Sequence, residues 1–167
     1  MDNEKSQALD EVKQERGSTI SMSPRARMTM KSLSDADATF DSGDVPPFQR
    51  EIDVLRFACI LAIRANGDTL LPIANEANSE TYINIGSLDS GDTGATFSDT
   101  VSLLAPQAVA QERFTRVVRR YAEWGIAKMQ MWHEDAMQNQ SSLTLLDFIE
   151  NSETLIAETQ ADESQDR

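Results

Sequence analysis

Arg113, Arg116 and Arg120 recur at i, i+3 and i+7, and Arg119 stands beside them. On a helix these guanidiniums could grip phosphates or an acidic partner through bidentate hydrogen bonds. Glu112 and Glu123 lie in the same stretch, so the alternative is a solvated face that pairs within itself. A second basic group, Arg25, Arg27 and Lys31, falls where Met28, Met30 and Ser32 alternate with Arg27, Thr29 and Lys31. Such alternation predicts a short half-buried strand. A strand of that kind would resemble the one that a ribbon-helix-helix reader lays in the major groove. These seven residues are the candidate contacts to nucleic acid or to a partner.

Other side chains point away from catalysis. His133 is the sole histidine; Glu134 and Asp135 follow it, but no second His or Cys stands at a metal-binding interval. It reads as a surface or rim residue. Cys59 sits within apolar sequence, where a free thiol behaves as a small hydrophobe. Asp53 and Arg56, at i and i+3, suit mutual pairing or a polar contact with a partner. The "GDTG" of Gly91 to Gly94 lacks the Lys-Ser/Thr ending of a nucleotide cradle, which leaves a flexible loop whose amides could receive an anion. No nucleophile, base and orienting group can be assembled, so the expectation is a non-enzymatic protein without metal or cofactor.

The balance of charge narrows the partners. With 28 Asp plus Glu against 15 Lys plus Arg, the net charge is −13, which opposes broad attachment to nucleic acid or anionic lipid. DNA contact would have to be local, at the arginines. The longest apolar run, Ile52 to Ile63, is interrupted by Asp53 and Arg56 and falls well short of the ~20 residues that cross a bilayer. The first residues lack the basic and apolar regions of a secretory signal, and one cysteine makes no disulfide framework. A cytoplasmic protein without a membrane span is expected.

The elements that must position these residues are mostly helical. Residues 1–22 are polar and are expected to form a disordered leader. For residues 24–40 two readings stand: extended chain up to Lys31 followed by a short helix, which is the preferred one, or a helix opened by Pro24 behind Ser23 that buries Met28, Met30, Leu33 and Phe40. Pro46 and Pro47 end a loop. From about Phe48 to Asn66 the chain is apolar almost all round, the mark of a buried central helix, and Asn66 and Gly67 stop it. "ETYINIGSL" reads as a strand or extended crossing. A helix from Thr96 or Phe97 to Ala105 meets Pro106, and a long one covers about Ala110 to Met137. Gly125 marks close packing, a kink or a break in that helix. Residues 139–158 suggest a peripheral helix, docked or partner-seeking, with Thr144 and Asp147 as a capping pair; residues 159–167 suggest a disordered acidic tail. The fold class is therefore mainly α: a compact helical domain over residues 23–138 around a buried central helix, with room for one short strand or β-ribbon.

Three stretches resemble a known family. "PPFQREIDVLRFACILAIRANG" is similar to the segment of Dnd-system-associated small proteins in which a Phe precedes Asp-Val and an alanine-containing apolar helix. "LLPI" at Leu70 to Ile73 resembles the Pro-containing turn that follows, and "RRYAEWGIAKM" at Arg119 to Met129 resembles their Tyr-Ala-x-x-Gly helix. The order of elements over residues 46–132 is also similar to that of DndE, the small helical subunit of DNA phosphorothioation machinery. Ile63 and the neighbourhood of Trp124 and Ile126 depart from the family's glycines. The resemblance implies an accessory protein of a DNA-modification or anti-phage system, without its own catalysis, bound to a protein partner in a modification or restriction complex. DNA contact and homo-oligomer formation stay open. A ribbon-helix-helix regulator acting through Arg27 is the alternative.

Overall fold

The computed structural model describes residues 18–35, 45–73, 78–91 and 94–165, with side chains to residue 162. Among them are seven helices and one two-stranded antiparallel ribbon. The mainly α class is thus found. The expected leader up to residue 17, the reach of a first helix to Phe40, most of the loop before Pro46 and the middle of "GDTG" lie outside the described residues.

The first described element corrects the sequence reading. Thr19–Met22 forms strand β1, in a region expected to belong to the leader, and Pro24–Ser34 forms helix α1. The segment Arg27 to Lys31, expected as a strand, is therefore helical. The local physics explains the outcome. Ser23 is extended, and its hydroxyl accepts the amide of Ala26 at 3.2 Å, while Pro24 brings a backbone angle already suited to the first turn. The buried side chains of α1 are Ala26, Thr29, Met30 and Leu33, which recur at helical spacing. Met28, expected inside on either reading, is 72% exposed.

Glu51–Asn66 forms α2, the buried central helix. It starts a little after the expected Phe48, with Glu51 and Asp53 in its first turn, where carboxylates favour the dipole. Its stop is as expected: Gly67 adopts φ 66°, a region open to glycine, and its amide closes on the Ile63 carbonyl at 2.8 Å. Glu80–Asn84 forms β2 and Ile85–Leu88 the single turn α3. β2 pairs antiparallel with β1, Thr19 opposite Asn84 and Met22 opposite Glu80, with an irregularity at Ile20 and Ser21.

Phe97–Leu104 forms α4, whose Thr96 and Asp99 make a reciprocal capping box. The expected long helix from Ala110 is two helices. Pro106–Gln111 forms α5 and Phe114–Gln138 forms α6, parted at Glu112 and Arg113. Pro106, read as a stop, also starts α5. Ala105, its N-cap, has no side-chain acceptor, and Asp68 supplies one from the turn after α2, accepting from Gln107 N at 2.8 Å and Ala108 N at 2.9 Å. Gly125 leaves α6 unbroken; its role is close packing on α2.

Leu145–Gln165 forms α7. The Thr144 and Asp147 pair is present, with Thr144 N donating to Asp147 at 2.7 Å and Asp147 N to the Thr144 hydroxyl at 3.3 Å. The Thr144 hydroxyl, which donates to the Asp147 carboxylate at 2.6 Å, and then the Thr144 amide hold that carboxyl below its usual range. Where a disordered tail from residue 159 is expected, the helix continues to Gln165, since no proline or glycine interrupts it.

The core lies where α2 and α6 cross. β1 and α1 pack on α6 and α7 packs on α2. Tyr121, Leu55, Ala58, Met129, Ile20 and Phe148 are fully buried there. Tyr121 donates from its hydroxyl to the Thr69 carbonyl at 2.9 Å, which ties the turn after α2 to α6. Burial pushes that phenol up to about 12.

Candidate functional site

The four arginines of α6 lie at its head, and most of their charge is answered from within the chain. Glu112, just before the helix, receives both Arg116 at 2.8 Å and Arg120 at 2.5 Å. Arg120 also donates to the Leu71 carbonyl at 2.7 Å, so it anchors the loop after α2 and is only 15% exposed. Arg119 is buried and faces Glu123 at 3.5 Å. Glu123 in turn accepts from the amide and hydroxyl of Ser23 at 2.6 and 2.7 Å, which couples the start of α1 to α6. Arg113 caps α6 through its backbone and is exposed. The self-pairing alternative thus describes Arg116, Arg119 and Arg120.

The second basic group sits on α1 and does not make one patch with the first. Arg25 donates to Gln130 of α6 at 3.0 Å. Arg27 lies over the Tyr82 ring at 4.5 Å and faces Glu51 at 3.8 Å. Burial, with Glu51 adding to it, pushes the Tyr82 phenol up to about 12. Lys31 is exposed in the last turn. None of the three belongs to a strand, and β1 already has β2 as its partner, so the expected strand presentation of Arg27 is absent.

Near the head of α6 the arginines meet residues that the sequence reading missed. Thr19, Ser21, Ser79 and Thr115 line a depression of about 250 Å³ together with Arg116 and Arg119. The signal was present in "TISM", where Thr19 and Ser21 alternate with Ile20 and Met22, a two-residue period hidden in polar surroundings.

A larger feature is lined by α2 itself. A groove of about 460 Å³ runs between α2 and α7, with Phe97 also in its lining. Asp53, Phe57, Ile60 and Arg64 of α2 face Leu145, Ile149, Glu153 and Ile156 of α7, each set at three- and four-residue spacing. Its floor is apolar and its rim charged. Arg64 reaches across to Glu153 at 2.8 Å, and Arg50 pairs with Asp53 at 2.7 Å. Arg56 donates to the Leu88 carbonyl. On α7 beside the groove, Leu145, Leu146 and Ile149 are 43%, 62% and 43% exposed. α7 carries six acidic residues and no Lys or Arg.

His133 and Cys59 lie apart from both features. His133 faces α1 across a depression shared with Arg25, Met28 and Glu134, and Cys59 is fully buried, which pushes its thiol up. Among the described residues no three His, Cys, Asp or Glu side chains are grouped to hold a metal, and no helix is long and apolar enough to cross a membrane. Comparison with protein-family models, curated proteins and solved structures finds no match to this chain.

Proposed function

We propose that this chain is a non-catalytic adaptor that seats a basic amphipathic helix of a partner protein in the groove between α2 and α7. The observation that carries the reading is the groove itself. Its floor of Phe57, Ile60 and Ile156 offers apolar anchoring, and exposed Leu145, Leu146 and Ile149 extend that surface. Charge selects the occupant. One wall is a helix with acidic residues and no basic ones, in a chain of net charge −13, so a helix bearing Lys or Arg beside its apolar stripe is complementary and is steered toward it.

The resemblance of residues 46–132 to Dnd-associated proteins supplies the setting: an accessory role in a bacterial DNA-modification or anti-phage assembly, in the cytoplasm. The partner is then a subunit whose own basic surface handles DNA. Self-pairing of the α6 arginines supports protein contact over DNA contact as the adaptor's main role.

The test is recovery of partners from the native host with tagged wild-type chain and with Ile149→Glu, each with and without nuclease, followed by cross-link mapping. The reading expects a DNA-modifying or restriction protein that survives nuclease, is lost with Ile149→Glu and cross-links to α7 through a basic amphipathic segment. Partners that leave with the DNA, or that are indifferent to Ile149→Glu, would defeat it.

A further inference from the structure

Arg64 and Glu153 meet from the two walls of the groove. Arg64 belongs to the last turn of α2 and Glu153 to the middle of α7, and both line the groove. The guanidinium donates through two nitrogens to the two carboxylate oxygens, at 2.8 and 3.5 Å. A cation of this chain thus already occupies a carboxylate on the acidic wall. We propose that the pair is an exchangeable clasp: a basic side chain of the incoming helix takes Glu153 from Arg64, so that Glu153 reads the partner's charge and Arg64 is its resident competitor. This inference rests on the groove being the seat of a basic amphipathic helix.

Position singles out Glu153. It follows Ile149 by four residues and precedes Ile156 by three, so the three side chains share one stripe of α7, and all of them line the groove. A helix that sets apolar side chains against Ile149 and Ile156 therefore carries its flanking Lys or Arg to Glu153. Among the described acidic side chains of α7, Glu153 is the one in the groove; Asp147 and Glu150 line a separate depression with Trp132 and Asp135.

Exposure makes the pair easy to open. The two side chains are 51% and 57% exposed, so water screens the bond and solvates both ends, and pairs of this kind contribute little to a fold. α7 has firmer attachments in Phe148 and Ile156, both buried. On opening, the Arg64 guanidinium returns to solvent while its stem stays against the apolar lining. Because one ion pair opens as another closes, the exchange adds less affinity than selection: a basic helix satisfies Glu153, and an acidic one meets it as like charge.

The test is fluorescence anisotropy with the full chain and a labelled Leu/Lys peptide of roughly 18 residues, about five helical turns, with Leu at three- and four-residue spacing. Arg64→Ala is expected to bind the peptide about two- to fivefold more tightly than wild type, the range of an exposed ion pair. Its affinity should also fall more steeply with added salt, since a pair then forms without another being broken. In a Glu153→Gln background the gain from Arg64→Ala should vanish, which separates exchange at Glu153 from mere loss of a positive charge. An affinity unchanged or lowered by Arg64→Ala, a gain that survives Glu153→Gln, or a marked fall in melting temperature with Arg64→Ala overturns the clasp and leaves the groove reading standing. A peptide that does not bind the wild type, or that binds Ile149→Glu equally well, overturns the groove reading and the clasp with it.

Discussion

Gly125 of α6 lies against the Ala58 carbonyl of α2 so closely that a Cβ placed on it would stand 2.1 Å from that oxygen. The two helices at the centre of the fold therefore cross backbone on backbone. In an open helix Gly→Ala would stabilise by about 1 kcal/mol. Here the sign reverses: Gly125→Ala forces the helices apart and is expected to destabilise by roughly 1–3 kcal/mol, the range for overpacked cores. Urea denaturation reads it. Because the clash is with backbone, Ala58→Gly should give no rescue; a rescue would show that the contact is made by the side chain after all.

Asp68 caps a helix to which it does not belong. With Asp68→Ala, the amides of Gln107 and Ala108 lose their acceptors, and the expected loss is about 0.5–2 kcal/mol, as for other capping residues. Asp68→Asn keeps one side-chain acceptor and should fall between. Thermal melting of the three proteins orders them; equal midpoints would mean that water serves these amides equally well.

Phe148 pins α7 to the body. It is fully buried, with ring centroids 5.6 Å from Phe48 and 6.1 Å from Trp132. Truncation to Ala removes contacts that in other cores are worth about 3–5 kcal/mol. Hydrogen exchange distinguishes two consequences. The expected one is lost protection over α7 with that of α2 and α6 retained, because α7 is a peripheral layer. Uniform loss would make α7 part of one cooperative unit.

His133 gives the fold a dependence on pH. Burial against α1 holds its imidazole below the usual range, and Glu134 opposes that only in part; Arg25 is the other charged side chain lining the same depression. The unfolded chain then binds a proton more readily than the folded one. Stability is full above the unfolded value of about 6.5 and declines as pH falls through the lower folded value. The melting temperature should therefore drop more between pH 7.5 and 5.5 in the wild type than in His133→Gln. Parallel curves would show that His133 is not the group responsible.

What could be read from the residues was governed by how local the deciding forces are. The central helix was legible because Val54 to Ala65 carry their own burial pattern and Gly67 its own stop, and the Thr144 and Asp147 cap because both partners lie within one turn. The ribbon was not: β1 is four residues long, and its pairing with β2 is fixed by contacts some sixty positions away. At Met28 and Met30 an alternating pattern lost to a cap, because Ser23 and Pro24 decide the first turn whatever follows. The arginines of α6 were visible as a cluster, and so were Glu112 and Glu123 as partners. Thr19 and Ser21 could not be joined to them without knowing that β1 lies on α6. The groove depends on two helices about ninety residues apart, as the Arg64 and Glu153 pair shows, and neither stripe reveals alone that the other leaves it uncovered.

The tie between Ser23 and Glu123 spans 100 residues, and its consequence falls on synthesis. At about 5–20 residues per second, the amide and hydroxyl of Ser23 wait roughly 5–20 s for their carboxylate to leave the ribosome. Ile20 and Met22 wait as long for the surface of α6 that covers them. The first described strand is thus covered late, and a nascent chain halted before α6 would leave the Ile20 and Met22 face of the ribbon bare to whatever chaperone or neighbouring chain it meets.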